Sequence, residues 1–203
     1  MLLADLGHHA HGWVHDPAMA DHHVSEFSSL LEDLRIHPAA LANPHVALGV
    51  LMPIRPTLRV MESSQGDPTD PDENSQIGIQ GPIDADTLVD AQGTLELTIG
   101  DLLGHAGRLS DALVTLDHAW GFFADLGRII PVMWPVHGDQ ADVRMAQARH
   151  LWLAGEADAA RQRAVEAEWH LTQAKEDPTV MMDLVDEALV RLNDLKCLMA
   201  GAP

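Results

Sequence analysis

The sequence predicts a mainly α-helical protein built from antiparallel helical hairpins. Apolar residues recur at spacings of three and four along most of the chain, as they do on one face of an amphipathic helix. Two segments, residues 100–112 and 148–160, repeat the same order of helix, Ala-Gly turn and helix. Asp-Pro pairs and single glycines stand where such helices are expected to begin and end.

The N-terminal segment, residues 1–61, is predicted to hold one clear helix after a histidine-rich run. Asp16 is the predicted N-cap and Pro17 the first helical residue. Gly7 and Gly12, together with Pro17, are expected to break any continuous helix through the histidines. The apolar stripe of the helix consists of Ala20, Val24, Phe27, Leu31 and Leu34.

Two further stretches complete the first half of the chain. Residues 44–61 fit either a helix or a short buried strand, and Pro53 and Pro56 are expected to interrupt the pattern. Residues 62–83 are rich in acidic residues, proline, glycine and serine and contain almost nothing apolar. Such a composition cannot offset its ordering entropy by burial, so it predicts an acidic flexible linker or long loop.

From residue 84 to residue 203 the sequence predicts a domain of helical hairpins. The first hairpin has a helix from Asp84 or Asp86 to His105 and a second over about 109–126. A break over residues 127–138 precedes a helix from Asp139 to Leu153 and another from Ala157 to about Lys175. Asp177-Pro178 is the predicted start of a last helix.

The two hairpins match when they are aligned on their turn glycines. Small residues pair with small ones and large with large: Gly100 with Ala148, Leu103 with Leu151, Gly107 with Gly155, Ala112 with Ala160 and Ala119 with Ala167. Small residues let two helices approach closely, and glycine permits the tight turn. This order resembles the tetratricopeptide (TPR) repeat over residues 86–200. The period of that repeat, about 34 residues, is shorter than the separation of Gly107 from Gly155 in this chain. The resemblance implies stacked hairpins with the last helix as a cap.

Composition excludes several classes of partner. The chain of 203 residues has a formal net charge of −19, which argues against binding to nucleic acid or to an anionic membrane and favours a basic protein partner. No stretch approaches the run of about 18 apolar residues that spans a bilayer, and no basic region precedes an apolar one as in a signal peptide. With one cysteine, Cys197, the chain is expected in the cytoplasm. Its preference for arginine, alanine and aspartate suggests a GC-rich bacterial or phage coding sequence.

The stretch 129–136 between the hairpins is unusually apolar for a loop. It either packs beneath the hairpins or exposes an apolar patch that binds a partner. In the second case Trp134 is the anchor, because tryptophan often dominates binding energy. The candidate partner-binding residues are Trp134, Met133, Ile130, Trp120 and Trp152.

Six of the 13 histidines precede Val24. Histidines one helical turn apart share a face and can chelate zinc or another transition metal. The candidate ligands are His8, His11, His15, His22, His23 and Glu26. The alternative interpretation is a solvated histidine-rich segment.

The sequence contains no nucleophile elbow, phosphate-binding loop, zinc-protease motif or dinucleotide fingerprint. We therefore expect a non-enzymatic interaction or scaffold module that binds a peptide or a helix of a protein partner without a cofactor. One alternative is a metal-binding protein or metalloenzyme that uses the N-terminal histidines. Another is a helical structural subunit that forms a homo-oligomer.

Overall fold

The structure, a computed structural model, describes residues 2–15, 19–64, 85–129, 134–176 and 182–201. These residues form nine helices and no strand, which confirms the mainly α fold class. The helices are α1 Leu2–His15, α2 Ala20–Ile36, α3 Pro38–Ala42, α4 Pro44–Ser64, α5 Ala85–His105, α6 Leu109–Ile129, α7 Trp134–Leu153, α8 Ala157–Glu176 and α9 Met182–Gly201. Of the helices described, none is long and apolar enough to cross a membrane.

Helix α1 runs unbroken from Leu2 to His15, so the expectation that glycines interrupt the helix is wrong. His22 and His23 lie on α2, so no single described helix joins His8 to His23. Gly7 and Gly12 both lie inside the helix. On the same helix, Leu6 and Ala10 are buried in the main hydrophobic cluster. A β-carbon on Gly12 would lie 2.7 Å from the His23 ring, so glycine here allows close approach of α2. This packing outweighs the cost of a helical glycine, about 1 kcal/mol.

Helix α2 confirms the apolar stripe predicted for it, because all five stripe residues are buried. The described helix begins at Ala20. The predicted start at Asp16 and Pro17 lies outside the described residues.

Residues 44–61 are helical, which resolves the choice between helix and strand. The expected interruption is wrong, because Pro53 and Pro56 both lie inside α4. Both prolines are exposed, as are Gly49 and Met52, the residues four positions earlier. The carbonyls that lose their helical donor therefore face solvent, where water can donate to them. The opposite face stays regular and buries Ala47, Leu51, Ile54 and Leu58. Helix α4 continues to Ser64, so the prediction of a linker from residue 62 is wrong for residues 62–64. The rest of the predicted linker, residues 65–83, lies outside the described residues.

Both hairpin turns have the geometry that the repeated Ala-Gly pair predicts. Gly107 and Gly155 are left-handed, with φ of 77° and 85°. In each turn the glycine N–H and the next N–H donate to carbonyls in the last helical turn, at 3.0 and 2.9 Å in both hairpins. This pair of bonds is the Schellman motif, which ends a helix at a left-handed glycine.

The break between the hairpins is shorter than the sequence predicts. Helix α6 continues to Ile129, and α7 begins at Trp134 rather than at Asp139. The side-chain amide of Gln140 donates to the Phe123 carbonyl at 3.1 Å and holds the start of α7 against α6. Residues 130–133 and 177–181 lie outside the described parts of the chain, and with them the predicted start of the last helix.

The helices of the second half follow a constant offset in sequence, which we call the repeat offset and define as the separation of Gly107 from Gly155. Helix α5 ends at His105, and α7 ends one repeat offset later at Leu153. The described residues of α9 lie one repeat offset after those of α7, and both stretches are helical. Helix α9 therefore corresponds to α5 and α7, the first helices of the two hairpins, and would be the first helix of a third.

Helix α5 lies at the centre of the molecule. Residues 91–104 are all buried, and the helix contacts α2, α4, α6 and α7. Arg55 of α4 donates to both carboxylate oxygens of Glu96 on α5, at 2.5 Å each. One hydrophobic cluster contains residues of α1, α2, α4 and α5. The N-terminal helices therefore pack on the hairpins and bring the end of α2 close to α7.

Candidate binding cavity and histidine cluster

A cavity of about 470 Å³ lies between α2, α3, α5, α7 and α9. This volume is within the range of small-ligand pockets, about 300–1,000 Å³. From the second half of the chain, only α5, α7 and α9 contribute to the cavity, and no described residue of α6 or α8 lines it. The lining consists of three arginines, three aspartates and five apolar residues: Arg35, Arg149, Arg191, Asp101, Asp142, Asp194, Ile36, Leu41, Met145, Leu195 and Leu198.

One wall of the cavity is held by two arginines on a single carboxylate. Arg35 of α2 and Arg191 of α9 both pair with Asp142 of α7, the latter at 3.1 Å. Burial opposes the charge of Arg35, but Asp142 and Asp101 raise the pKa of this guanidinium, so it stays charged. The bridge therefore ties three helices together around the cavity.

A second part of the lining is built on Asp101 of α5. Its Oδ1 accepts from His150 Nε2 at 3.2 Å and from Arg149 at 3.4 Å. Burial would raise the pKa of Asp101, but the His150 hydrogen bond and Arg149 lower it to about 2. The His150 ring is 1% exposed and lies against Gly104, so this packing holds the ring in position for its hydrogen bond to Asp101.

The cavity has unused hydrogen-bonding capacity on donors and on one acceptor, because Asp142 Oδ1 is buried without a hydrogen bond although Arg191 lies 3.1 Å away. Asp101 and Asp142 each already interact with two basic side chains. Among the described residues, Arg149 forms an ion pair only with Asp101, and Arg191 only with Asp142. A guanidinium has five N–H donors, so each arginine has donors left over. Their side chains are 37% and 49% exposed. Although Asp194 is exposed nearby, the arginines can still bind a carboxylate.

Three carboxyl groups lie close to the Arg35 side of this cavity. They belong to Glu32 of α2, Asp90 of α5 and Asp139 of α7. Burial raises the pKa of Asp90 to about 6, and repulsion from Glu32 adds to this. Burial and the charge of Asp90 likewise raise the pKa of Asp139, which Arg35 only partly offsets. Asp90 therefore gains a proton at mildly acidic pH.

Of the five sequence-predicted partner-binding residues, the structure describes the side chains of Trp120 and Trp152. Ile130 and Met133 and the side chain of Trp134 lie outside the described structure. Trp120 is half-buried between helices, with the Arg144 guanidinium 3.4 Å from its ring centroid. Trp152 is also half-buried and packs on the second hairpin. Neither described tryptophan lines the cavity.

A second polar feature, the histidine cluster, consists of His8 and His9 of α1 with His22 and His23 of α2. Neighbouring rings lie 5.3 to 6.4 Å apart between centroids. His9 Nδ1 and His23 Nδ1 approach to 3.1 Å. Burial and the neighbouring histidines, His23 foremost, lower the pKa of His9, while Glu26 acts in the opposite direction.

The structure contains a similar pair between α7 and α8. His137 Nδ1 and His170 Nδ1 are 3.3 Å apart. Burial, His137 and Arg144 lower the pKa of His170 to about 4. Trp169 lies against both rings and is 55% exposed.

The structure brings four of the six predicted metal ligands into one region. His8, His22 and His23 belong to the histidine cluster, and Glu26 acts electrostatically on His9. The side chains of His11 and His15 lie outside the described residues. Across the described ranges, no three potential ligand side chains are arranged to hold one metal ion.

Sequence reasoning did not identify the cavity residues. Arg35, Asp142 and Arg191 belong to three helices, and only the packing of α2 on the hairpins brings them together. One signal was present: Asp101 and Arg149 occupy the same position of the two hairpins, with opposite charges. Opposite charges at equivalent positions indicate a contact between neighbouring first helices.

Comparison with protein-family models, curated proteins and solved structures gave no match for this chain.

Proposed function

We propose that the protein is a non-enzymatic interaction module that binds a peptide segment of a partner in the cavity between α2, α7 and α9. The observation that carries this proposal is a cavity that combines apolar walls with partly used arginines. TPR-like membership stays a prediction, but the proposal does not depend on it. The free, exposed Cys197 is compatible with the cytoplasm that the composition predicts.

The cavity favours a segment with both an apolar and an anionic part. Ile36 and Leu198 in its lining are 64% and 55% exposed, so an apolar side chain bound there would remove them from water. Arg149 and Arg191 have N–H donors left for a carboxylate, with which a guanidinium can form two parallel hydrogen bonds. The free carboxyl terminus of a peptide with an apolar last residue offers both groups.

The net charge of the chain complements this local chemistry. At −19 the protein attracts a basic partner surface over long range, while the arginines provide a local site for one carboxylate. We therefore propose a partner that is basic overall and binds through an anionic, apolar end. Raised ionic strength should slow association with such a partner.

The test is a binding screen of short random peptides immobilised through their amino ends, with free and with amidated carboxyl termini. We expect selection of free carboxylates after an apolar residue. The double variant Arg149→Gln/Arg191→Gln should bind the selected peptides at least about tenfold more weakly, or about 1.4 kcal/mol.

Arg128→Gln is the matched control, because Arg128 is exposed on α6 in an ion pair with Asp125 and lies outside the cavity. This control should bind as the wild type does. A screen without any enriched peptide, or equal affinity for the double variant, would contradict the proposal.

A further inference from the structure

We propose that His9 and His23 bind one zinc ion through their Nδ1 atoms and thereby connect α1 to α2. The site is separate from the cavity and does not depend on the proposed peptide function. It also differs from the ligand set that the sequence predicts, in which His9 is absent.

The distance between the two nitrogens fits a shared ion. Zinc binds imidazole nitrogen at about 2.0–2.1 Å, so two nitrogens in a tetrahedral site lie about 3.3 Å apart. His9 Nδ1 and His23 Nδ1 are 3.1 Å apart on two different helices. For both Nδ1 atoms to bind the ion, each ring must carry its proton on Nε2 and turn until the two Nδ1 lone pairs meet at one point between the helices.

The remaining coordination positions fall to water or to a third histidine. His8 is exposed, and its ring centroid lies 5.3 Å from that of His9 and 6.1 Å from that of His23. His8 is therefore the nearest exposed candidate for a third ligand, and it must change its rotamer to coordinate the ion. Zinc sites with three protein ligands and one water are a common arrangement.

The charged groups that act on His9 include one carboxylate, Glu26, which stabilises positive charge there. Burial and the neighbouring histidines act in the opposite direction and lower the pKa of His9 overall. The spacing of the two nitrogens, and not the local charge, therefore points to a shared ion.

The pair His137–His170 has nearly the same spacing but lies near a guanidinium. Burial and His137, and then Arg144, lower the pKa of His170 to about 4, so an ion bound there would lie near a fixed positive charge. Trp120 and Trp169 occupy the space around the rings. This pair is therefore the natural control, and we expect it not to bind zinc.

The His23 ring owes its position to Gly12. A β-carbon at Gly12 would lie 2.7 Å from three atoms of this ring. The variant Gly12→Ala keeps every ligand and should not weaken the helix, because alanine has the higher helix propensity. It should nevertheless displace the His23 ring from its partner.

The experiment is calorimetric titration of the tag-free chain with zinc chloride, combined with NMR of histidine ring nitrogens. We expect one zinc per chain, with shifts at Nδ1 of His9 and His23. The double variant His9→Gln/His23→Gln should lose more than about tenfold in affinity, since even changes around metal ligands cost about 10- to 100-fold. Gly12→Ala should also weaken binding.

The double variant His137→Gln/His170→Gln should bind zinc as the wild type does, and circular dichroism should show that all variants are helical. Unchanged affinity after loss of His9 and His23 would overturn the proposal. So would an equal loss in the control variant. If the double variant does not fold, unchanged Nδ1 signals in the zinc-loaded wild type, or unchanged affinity of Gly12→Ala, would have the same meaning.

Discussion

The hairpins α5–α6 and α7–α8 have turns of the same geometry, yet they fill the space between their helices with different residues. In the first hairpin Gly93 lies against the Phe123 ring, which a β-carbon at Gly93 would meet at 2.7 Å. The residues one repeat offset later are Ala141 and Leu171, both buried in one cluster. Relative to the first hairpin, the second hairpin has one more methyl group on its first helix, at Ala141, and a smaller side chain on its second helix, at Leu171.

The same exchange occurs one level nearer the turn. Gly100 lies against Leu116 in the first hairpin, and the equivalent residues of the second are Ala148 and Ala164. The combined residue volume of Gly93 and Phe123 is close to that of Ala141 and Leu171, so at this level the repeat preserves the space between the two helices. Nearer the turn it does not, because the two alanines are together smaller than Gly100 and Leu116.

The hairpins also differ in how completely their first helices are covered. Residues 91–104 of α5 are buried throughout, whereas the equivalent stretch 139–152 of α7 includes the partly exposed Asp142, Arg149 and Leu151. A side chain added to α5 has no solvent to move into. The first hairpin should therefore tolerate enlarged residues less well than the second.

The largest effect is expected for Gly104→Ala. The new β-carbon would lie 2.0 Å from the His150 ring, which the hydrogen bond to Asp101 holds in place. Overpacking of this kind costs about 1–3 kcal/mol and occasionally more, and we expect at least about 3 kcal/mol here. Chemical denaturation of both proteins measures this loss.

Gly121→Ala is the matched control, because nothing lies within 4 Å of a β-carbon at this helical glycine. It should leave stability unchanged or raise it by about 0.5–1 kcal/mol. In the background of His150→Ala, the cost of Gly104→Ala should largely disappear. An equal effect at both glycines would show that the contact with His150 does not limit the packing of α5 on α7.

The next effect comes from converting one hairpin's pair into the other's. Gly93→Ala alone should cost about 2 kcal/mol through overpacking. Phe123→Leu alone should cost about 1 kcal/mol through the space it leaves. Together they create the combination of Ala141 and Leu171, so the double variant should be more stable than Gly93→Ala alone.

A double-mutant cycle measures this coupling, which we expect to be at least about 1 kcal/mol in favour of the double variant. The converse variant Ala141→Gly/Leu171→Phe provides the matching test in the second hairpin. Additive costs in both cycles would mean that the facing pairs are not the unit that the repeat preserves.

The packing of these pairs also explains which parts of the fold the sequence could predict. The turns at Gly107 and Gly155 depend on local chemistry, and the structure confirms both. The continuity of α4 through Pro53 depends on which face is exposed, and local propensity contains no such information. The same holds for Gly12, whose helical position depends on a ring from another helix.

The candidate sites show the same division. The histidine cluster was partly predictable, because four of its histidines lie near one another in the sequence. Its His9–His23 contact was not, because it requires α1 and α2 to pack at one particular register. The cavity was less predictable still, since Arg35 and Asp142 lie far apart in the sequence and only the tertiary fold joins them.

The smallest loss of stability is expected at the two turn glycines. It should be the same in both hairpins, because their turns have the same geometry. Gly107→Ala and Gly155→Ala each force an alanine into a left-handed conformation, with φ of 77° and 85°. Nothing lies within 4 Å of a β-carbon at either position, so the cost is that of backbone conformation alone. We expect each variant to lose about 1–2 kcal/mol in denaturant unfolding. Asparagine at the same positions should cost less, because it enters this conformation more readily. Losses that differ by more than about 0.5 kcal/mol, the usual limit of additivity, would mean that the turns are energetically different despite equal hydrogen bonds.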